Sequence, residues 1–396
     1  MLRSLLILSL MLVGLTPLRA QSGPWNIDEL RKTPRVEWLD KDGKLRRLLY
    51  DSEPYQGKPT RVFAYYAEPD KVDGKLPAVV LVHGGGGTAF SEWAQLWAKR
   101  GYIALAMDLA GHGEGRKRLP DGGPNQDDAS RFKQNDLKDI WSYHAVAAVI
   151  RGHSLLRSLP NVDPARIGVT GISWGGYLTC IVAGVDDRFK AAVPVYGCGF
   201  IHENSAWNPT FAKMPGDWRK AWVENFDPSK YLGQAKMPML FVNGTNDFAY
   251  PLDSYQKSYR LAKSRNLCVK VNMPHGHPQG WAPVEIGLFI DQHVRGGKAL
   301  FRFDDPGVRM EEKDGTIRLA ILQPLGIKSV AAHWTNDTKN PWQKRKWESR
   351  QAQQMVGNAT DFYSASLSKD RPLIYFLTAT DERGATVSTE HVTLEK

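Results

Sequence analysis

The chain has 396 residues, 42% hydrophobic and 24% charged, with no low-complexity tract. This is a globular composition, long enough for about two or three domains. Its formal net charge is +10, but the basic residues are scattered apart from short clusters at 116–118 and 344–346, and no basic helix is present, which argues against a nucleic-acid partner. Three cysteines, Cys180, Cys198 and Cys268, lie far apart without metal-type spacing; each falls in or beside an apolar run, where buried free thiols are common.

Residues 1–20 carry Arg3, an apolar run over 5–15 and then Pro17-Leu18-Arg19-Ala20. The pattern predicts a secretory signal peptide and hence a secreted or periplasmic protein; the stretch is too short, with these flanks, for a spanning helix, and no lipid anchor is expected. A basic exported surface suits either an acidic polymer, such as a uronic or sulfated polysaccharide, or simple solubility.

Residues 21–75 alternate apolar and polar, with Asp42-Gly43 as a hairpin signal, and predict two to four antiparallel strands. The period then changes. Short apolar runs at 78–82, 102–107, 167–170, 191–195, 239–242 and 268–272 read as strands buried on both faces. Helical spacing at 90–100, 140–156, 177–184, 252–263 and 283–294 falls between and after them, with Ser91 as one N-cap and Asn135 or Asp136 as another. Strands alternating with helices predict a mostly parallel sheet covered on both faces. Two long connections, 111–134 and 199–235, leave this order and are expected to form loops or caps over a site. From residue 300 the helical pattern stops, and 318–323, 330–334, 363–366 and 373–378 read as short strands of a small β-sandwich. The expected organisation is an α/β domain over 21–299 and a sandwich over 300–396.

The most informative stretch is Gly171-Ile172-Ser173-Trp174-Gly175, between a strand-like run and a helical one. A G-x-S-x-G turn of this kind pushes the central hydroxyl to the top of the sheet, while the following helix points its positive end at any anion formed there. A serine hydroxyl needs a base to take its proton and a carboxylate to orient that base. Downstream, the run at 239–242 leads to Asp247, and the run at 268–272 leads to His275 and His277. Ser173, Asp247 and His275 are therefore the candidate triad. His275 is preferred because a glycine follows it; His277 is the alternative base, and whichever is not the base becomes a hydrogen-bonded or substrate-orienting loop histidine. Asp253 is a spare acid expected at a helix surface. The oxyanion donors are expected to be the amide of Trp174 and that of Gly85 or Gly86 in the run His83-Gly84-Gly85-Gly86-Gly87. No phosphate-loop continuation follows those glycines, and His275 with His277 lacks a third ligand of suitable spacing for a metal. Trp174, Trp207, Trp218, Trp222 and Trp281 flank the site in sequence. Aromatic faces suit sugar rings or apolar acyl groups, so Trp207 and Trp281 are candidate substrate-binding residues, while at least half of the five are expected to be core.

These motifs (HGGGG at 83–87, DLAGHG at 108–113, GISWGGY at 171–177, GTND at 244–247 and PHGH at 274–277) make residues 60–298 resemble the α/β-hydrolase superfamily, most closely its exported carbohydrate acetyl-esterases and prolyl-oligopeptidase-like hydrolases. The resemblance implies serine hydrolysis of an ester or amide without a cofactor. About 55 residues precede the sheet, too few for the β-propeller of an oligopeptidase, and the C-terminal sandwich is not a standard part of that family. A secreted esterase acting on a small-molecule or polysaccharide ester is the expected function. A secreted serine peptidase and a non-catalytic glycan-binding protein are its competitors.

Overall fold

The computed structural model describes residues 22–395, except 72, 323–325 and 359. The predicted leader at 1–20 lies outside the described residues. Nine strands form one sheet: β1 (Val36–Trp38), β2 (Leu45–Tyr55), β3 (Lys58–Ala67), β4 (Leu76–Val82), β5 (Ile103–Met107), β6 (Val162–Ile172), β7 (Ala191–Val195), β8 (Met239–Gly244) and β9 (Arg265–Lys270). Their order is β1-β2-β3-β5-β4-β6-β7-β8-β9. β1, β2 and β3 pair antiparallel, and β3 joins β5 antiparallel; from β5 through β4 to β9 every pairing is parallel.

The chemistry of each segment explains this split. β1 to β3 lie at one end of the sheet and mix buried with part-exposed and exposed residues, whereas the five residues of β5 and of β7 are all buried. A strand covered on both faces needs a crossover helix on each side. The long helix Trp141–Ser158 and the helix Trp174–Val185 supply two of them and are almost wholly buried. The long helix begins at Trp141, without a side-chain cap. Asp136, expected to cap it, instead caps the short turn Leu137–Asp139 by accepting from the Lys138 N–H. Ser91 likewise lies inside its helix, Ser91–Lys99, with Phe90 at the cap position. The three cysteines are buried and unpaired.

The C-terminal residues form two antiparallel sheets. One holds Val308–Lys313, Thr316–Ile321, Asp361–Ser366 and Gln353–Val356; the other is built on Ile327–Thr335 and Leu373–Asp381. Ile317 and Ala365 of the first meet Ala332, Trp334, Tyr375 and Leu377 of the second in a shared apolar layer. This unit docks against the β8–β9 edge. Ser388 Oγ accepts from the Val269 N–H (3.0 Å), Gln256 donates to the His391 carbonyl (2.8 Å), and Trp342, Trp347 and Phe376 pack on Leu252 and Val269. No helix among the described residues is long and apolar enough to cross a membrane.

Candidate active site

β6 ends at Ile172, and the chain turns sharply into the helix Trp174–Val185 through Ser173, whose backbone is at φ 59°, ψ −120°. Such a conformation costs about 1–3 kcal/mol for a residue with a Cβ and persists only where its surroundings enforce it. Here they do. A Cβ on Gly171 would lie 2.2 Å from the Gly175 carbonyl oxygen, and one on Gly175 would lie 2.0 Å from that of Val82. Backbone therefore packs directly on backbone on both sides of the serine. The Ser173 N–H donates to Val195 O (2.9 Å), tying the turn to the end of β7.

The ends of β8 and β9 bring two side chains to this hydroxyl. Asp247 is 2% exposed. Its Oδ1 accepts from the N–H groups of Ala249 (2.9 Å) and Tyr250 (2.8 Å), which leaves Oδ2 facing His275 Nδ1 at 2.6 Å. His275 Nε2 stands 2.9 Å from Ser173 Oγ. An ionised carboxylate only accepts, so Nδ1 carries the ring proton and Nε2 presents its lone pair to the serine O–H. The Tyr196 ring stacks on the imidazole (4.4 Å between centroids, 24° between planes), and its hydroxyl donates to Pro274 O (2.7 Å). Tyr196 is itself at φ 63°, unusual for a bulky residue. Its aromatic identity gave no sequence signal, because its role depends on where β7 ends relative to the histidine loop.

His277 does not reach the serine. Its Nε2 accepts from the Gly84 N–H at 3.0 Å. The ring must be neutral to accept, and burial, with the neighbouring His83 and His275 rings and the Arg116 guanidinium adding to it, holds its pKa down to about 4. His83 anchors the other side of the same loop: its Nδ1–H donates to Gly84 O (2.8 Å) while Nε2 accepts from the Leu109 N–H (2.8 Å). With the Gly84 amide engaged, Gly85 and Gly86 are the next amides on the loop. A Cβ on Gly85 would lie 3.0 Å from Trp174 Cδ1, so this glycine rests against the indole ring of the residue after the serine. Trp174 opens its helix, and its N–H has no intrahelical acceptor. A donor pair beside an oriented hydroxyl can accommodate an anionic tetrahedral oxygen.

The tryptophans divide. Trp174 and Trp222 are buried, and Trp207, Trp218 and Trp281 are partly buried and packed on the core. Trp207 lies 4.5 Å from the Trp174 ring and 5.2 Å from Tyr250, beside the serine turn. Trp281 stacks on Trp93 and meets Phe90, behind the glycine loop. Trp218 and Trp222 donate their indole N–H groups to the carbonyls of Phe132 and Arg131, joining the two long connections into one cover. Asp253 accepts two hydrogen bonds from Asn204, away from His275.

Residues 28–206 match the family model of acetyl xylan esterase (AXE1). The chain belongs to the α/β-hydrolase superfamily. It is 27% identical over 269 residues to the uncharacterized peptidase YuxL of Bacillus subtilis, covering 59% of this chain and 37% of that protein. It is 26% identical over 244 residues to acetyl esterase Axe7A of Xylanibacter ruminicola, covering 57% of this chain and 55% of that one. The chain thus spans about half or less of the length of these curated relatives. The crystal structure of acetyl xylan esterase 1 from Thermoanaerobacterium sp. JW/SL YS485 shares the fold, with a TM-score of 0.54 at 18% identity, covering 68% of this chain and 96% of that one. These likenesses are to hydrolases of the esterase and peptidase types.

Proposed function

We propose that this α/β-hydrolase is a serine carboxylic-ester hydrolase acting on acylated carbohydrate. The observation that carries the reading is the continuous chain from Ser173 Oγ through His275 to Asp247, at 2.9 and 2.6 Å, with the glycine loop packed against it, where a Cβ on Gly84 would lie 2.8 Å from that of Ser173. In this reading His275 Nε2 takes the hydroxyl proton as Ser173 Oγ bonds to the ester carbonyl carbon. The carbonyl electron pair moves onto oxygen, where the Gly85 and Trp174 amides hold it, and Asp247 balances the imidazolium. Collapse expels the alcohol, which takes the proton from His275 and leaves an acyl-serine; water then repeats the sequence and releases the acid. The acetyl esterases among its relatives support the carbohydrate substrate, and the expected leader supports action outside the cell.

The test sets p-nitrophenyl acetate and acetylated xylan against aminoacyl-prolyl amides, with wild type and Ser173→Ala. Ester cleavage that Ser173→Ala abolishes supports the proposal. Preferential amide cleavage would make the protein a peptidase, and hydrolysis unchanged in Ser173→Ala would remove the serine from the mechanism.

A further inference from the structure

Arg131 lies in the cover over the serine turn and is 9% exposed. Its Nη2 would be 3.1 Å from a Cβ on Gly85, so the guanidinium borders the same glycine whose amide faces the reacting carbonyl in the proposal above. The cation sits over the Trp174 ring at 4.7 Å and the Trp141 ring at 5.5 Å. Its carboxylate neighbour, Asp128, is mostly in solvent and only 3.4 Å from Nη1, while Nε has no hydrogen-bond partner. Burial pushes the guanidinium pKa down. Aromatic rings hold a guanidinium by its face and leave its five in-plane N–H donors to find acceptors elsewhere. A buried cation without an equally buried partner is costly.

Tyr250 stands in the same state. It is fully buried, its hydroxyl has no hydrogen-bond partner, and its ring packs on Trp207 and lies parallel to His275 with centroids 6.5 Å apart. Arg131 and Tyr250 are near enough to influence each other's ionisation. A guanidinium with a free Nε–H and an unpartnered hydroxyl therefore flank the serine turn, and Trp174 and Trp207 form the apolar wall between them.

Resting on the ester-hydrolase reading, the geometry points to Arg131, with Tyr250, as a carboxylate-recognition site that selects ester substrates carrying a second, ionised carboxyl group close to the scissile carbonyl. A planar guanidinium beside a hydroxyl matches a carboxylate in bidentate fashion, and its burial makes each such bond stronger than one at the surface. The carboxyl group could belong to the acyl part, as in a dicarboxylic half-ester, or to the alcohol, as in an acylated uronic acid.

Two substrate pairs at pH 7.5, followed by acid release, separate these sources: monomethyl glutarate against methyl pentanoate, and acetylated methyl galactosiduronic acid against acetylated methyl galactoside. In wild type the charged member of one pair is expected to exceed its neutral partner by tenfold or more in kcat/KM. Arg131→Gln should bring that ratio to about one, with Arg131→Lys in between. Should Arg131→Gln fail to fold, Tyr250→Phe, which keeps the ring, should lower the ratio at least threefold. A wild-type ratio at or below one in both pairs, or a ratio unchanged in a folded variant, overturns the site. Should wild type cleave no ester, the hydrolase reading fails by itself, and calorimetry with glutarate and galacturonate decides the carboxylate site. Binding weakened tenfold by Arg131→Gln upholds it, and absent or unaltered binding overturns it.

Discussion

Replacing His277 by alanine separates the two histidines of the PHGH loop. In the structure the His277 ring holds the Gly84 N–H at 3.0 Å and packs on Phe90 at 4.8 Å between centroids. Alanine leaves that amide without its acceptor, at a cost of about 1–3 kcal/mol in stability. It also frees the glycine loop to move. Loss of one oxyanion donor lowers kcat by about 10²–10³, so His277→Ala should fall short of His275→Ala, for which a loss of about 10⁴ or more is expected. His277→Gln, whose amide oxygen can accept from Gly84, should recover most of both losses. Because the folded ring has a pKa of about 4 against an ordinary value of 6.5, the unfolded chain takes up the proton first as the pH falls. The contribution of His277 to stability is therefore complete above pH 6.5 and is lost between 6.5 and about 4. The two pKa values correspond to about 3 kcal/mol for a fully enclosed ring, and with this ring half-buried to about 2 kcal/mol. The assays are kcat and KM for p-nitrophenyl acetate and urea unfolding at pH 7 and pH 5. A His277→Ala enzyme as inactive as His275→Ala would exchange the two roles. One with unchanged kcat and an unchanged pH slope would refute the loop-holding argument.

Ser173→Ala should lower kcat by about 10⁴ or more while the melting curve stays close to wild type, because only a hydroxyl is removed; a residual rate within tenfold of wild type would be decisive against it. Asn246→Ala removes two bonds from the side-chain amide to the carbonyls of Gln343 (3.1 Å) and Arg345 (2.7 Å), which join the turn bearing Asp247 to the C-terminal sheets. The expected result is a kcat reduced about tenfold with KM unchanged, a split that steady-state kinetics reads directly. Gly175→Ala forces a Cβ to within 2.0 Å of the Val82 carbonyl oxygen and should cost about 3 kcal/mol in denaturant unfolding; a loss below about 1 kcal/mol would show that the turn can open without penalty.

What could be read from the sequence and what could not divide along chain distance. Ser173, Asp247 and His275 each follow a short apolar run, so strand-end placement is written locally, and the parallel order of the runs then brings three loops to one end of the sheet. The glycine after His275 favours that residue locally, but what sets His277 aside is not local: its ring holds the amide of Gly84, 193 positions away. The same is true of Arg131, which looks like one more charge in a polar connection until the fold stacks it on Trp174. In the C-terminal unit the strands Glu348–Gln351 and Gln353–Val356 are exposed at every residue, so they carry no alternation to detect, whereas Thr316–Ile321, half-covered, does. The sandwich also gains a meaning that its composition hides. Asn246 lies next to Asp247, its Oδ1 accepts from Thr245 Oγ1 (2.7 Å), and Thr245 Oγ1 accepts from the Asn272 N–H (3.0 Å) three residues before His275. One line of hydrogen bonds thus runs from the sandwich through the acid turn to the base loop. Precision in the 2.6 Å contact between Asp247 and His275 then depends on a unit that contributes no side chain to it. A catalytic role for that unit would be invisible to any search for reactive residues and should surface as the loss in kcat expected of Asn246→Ala.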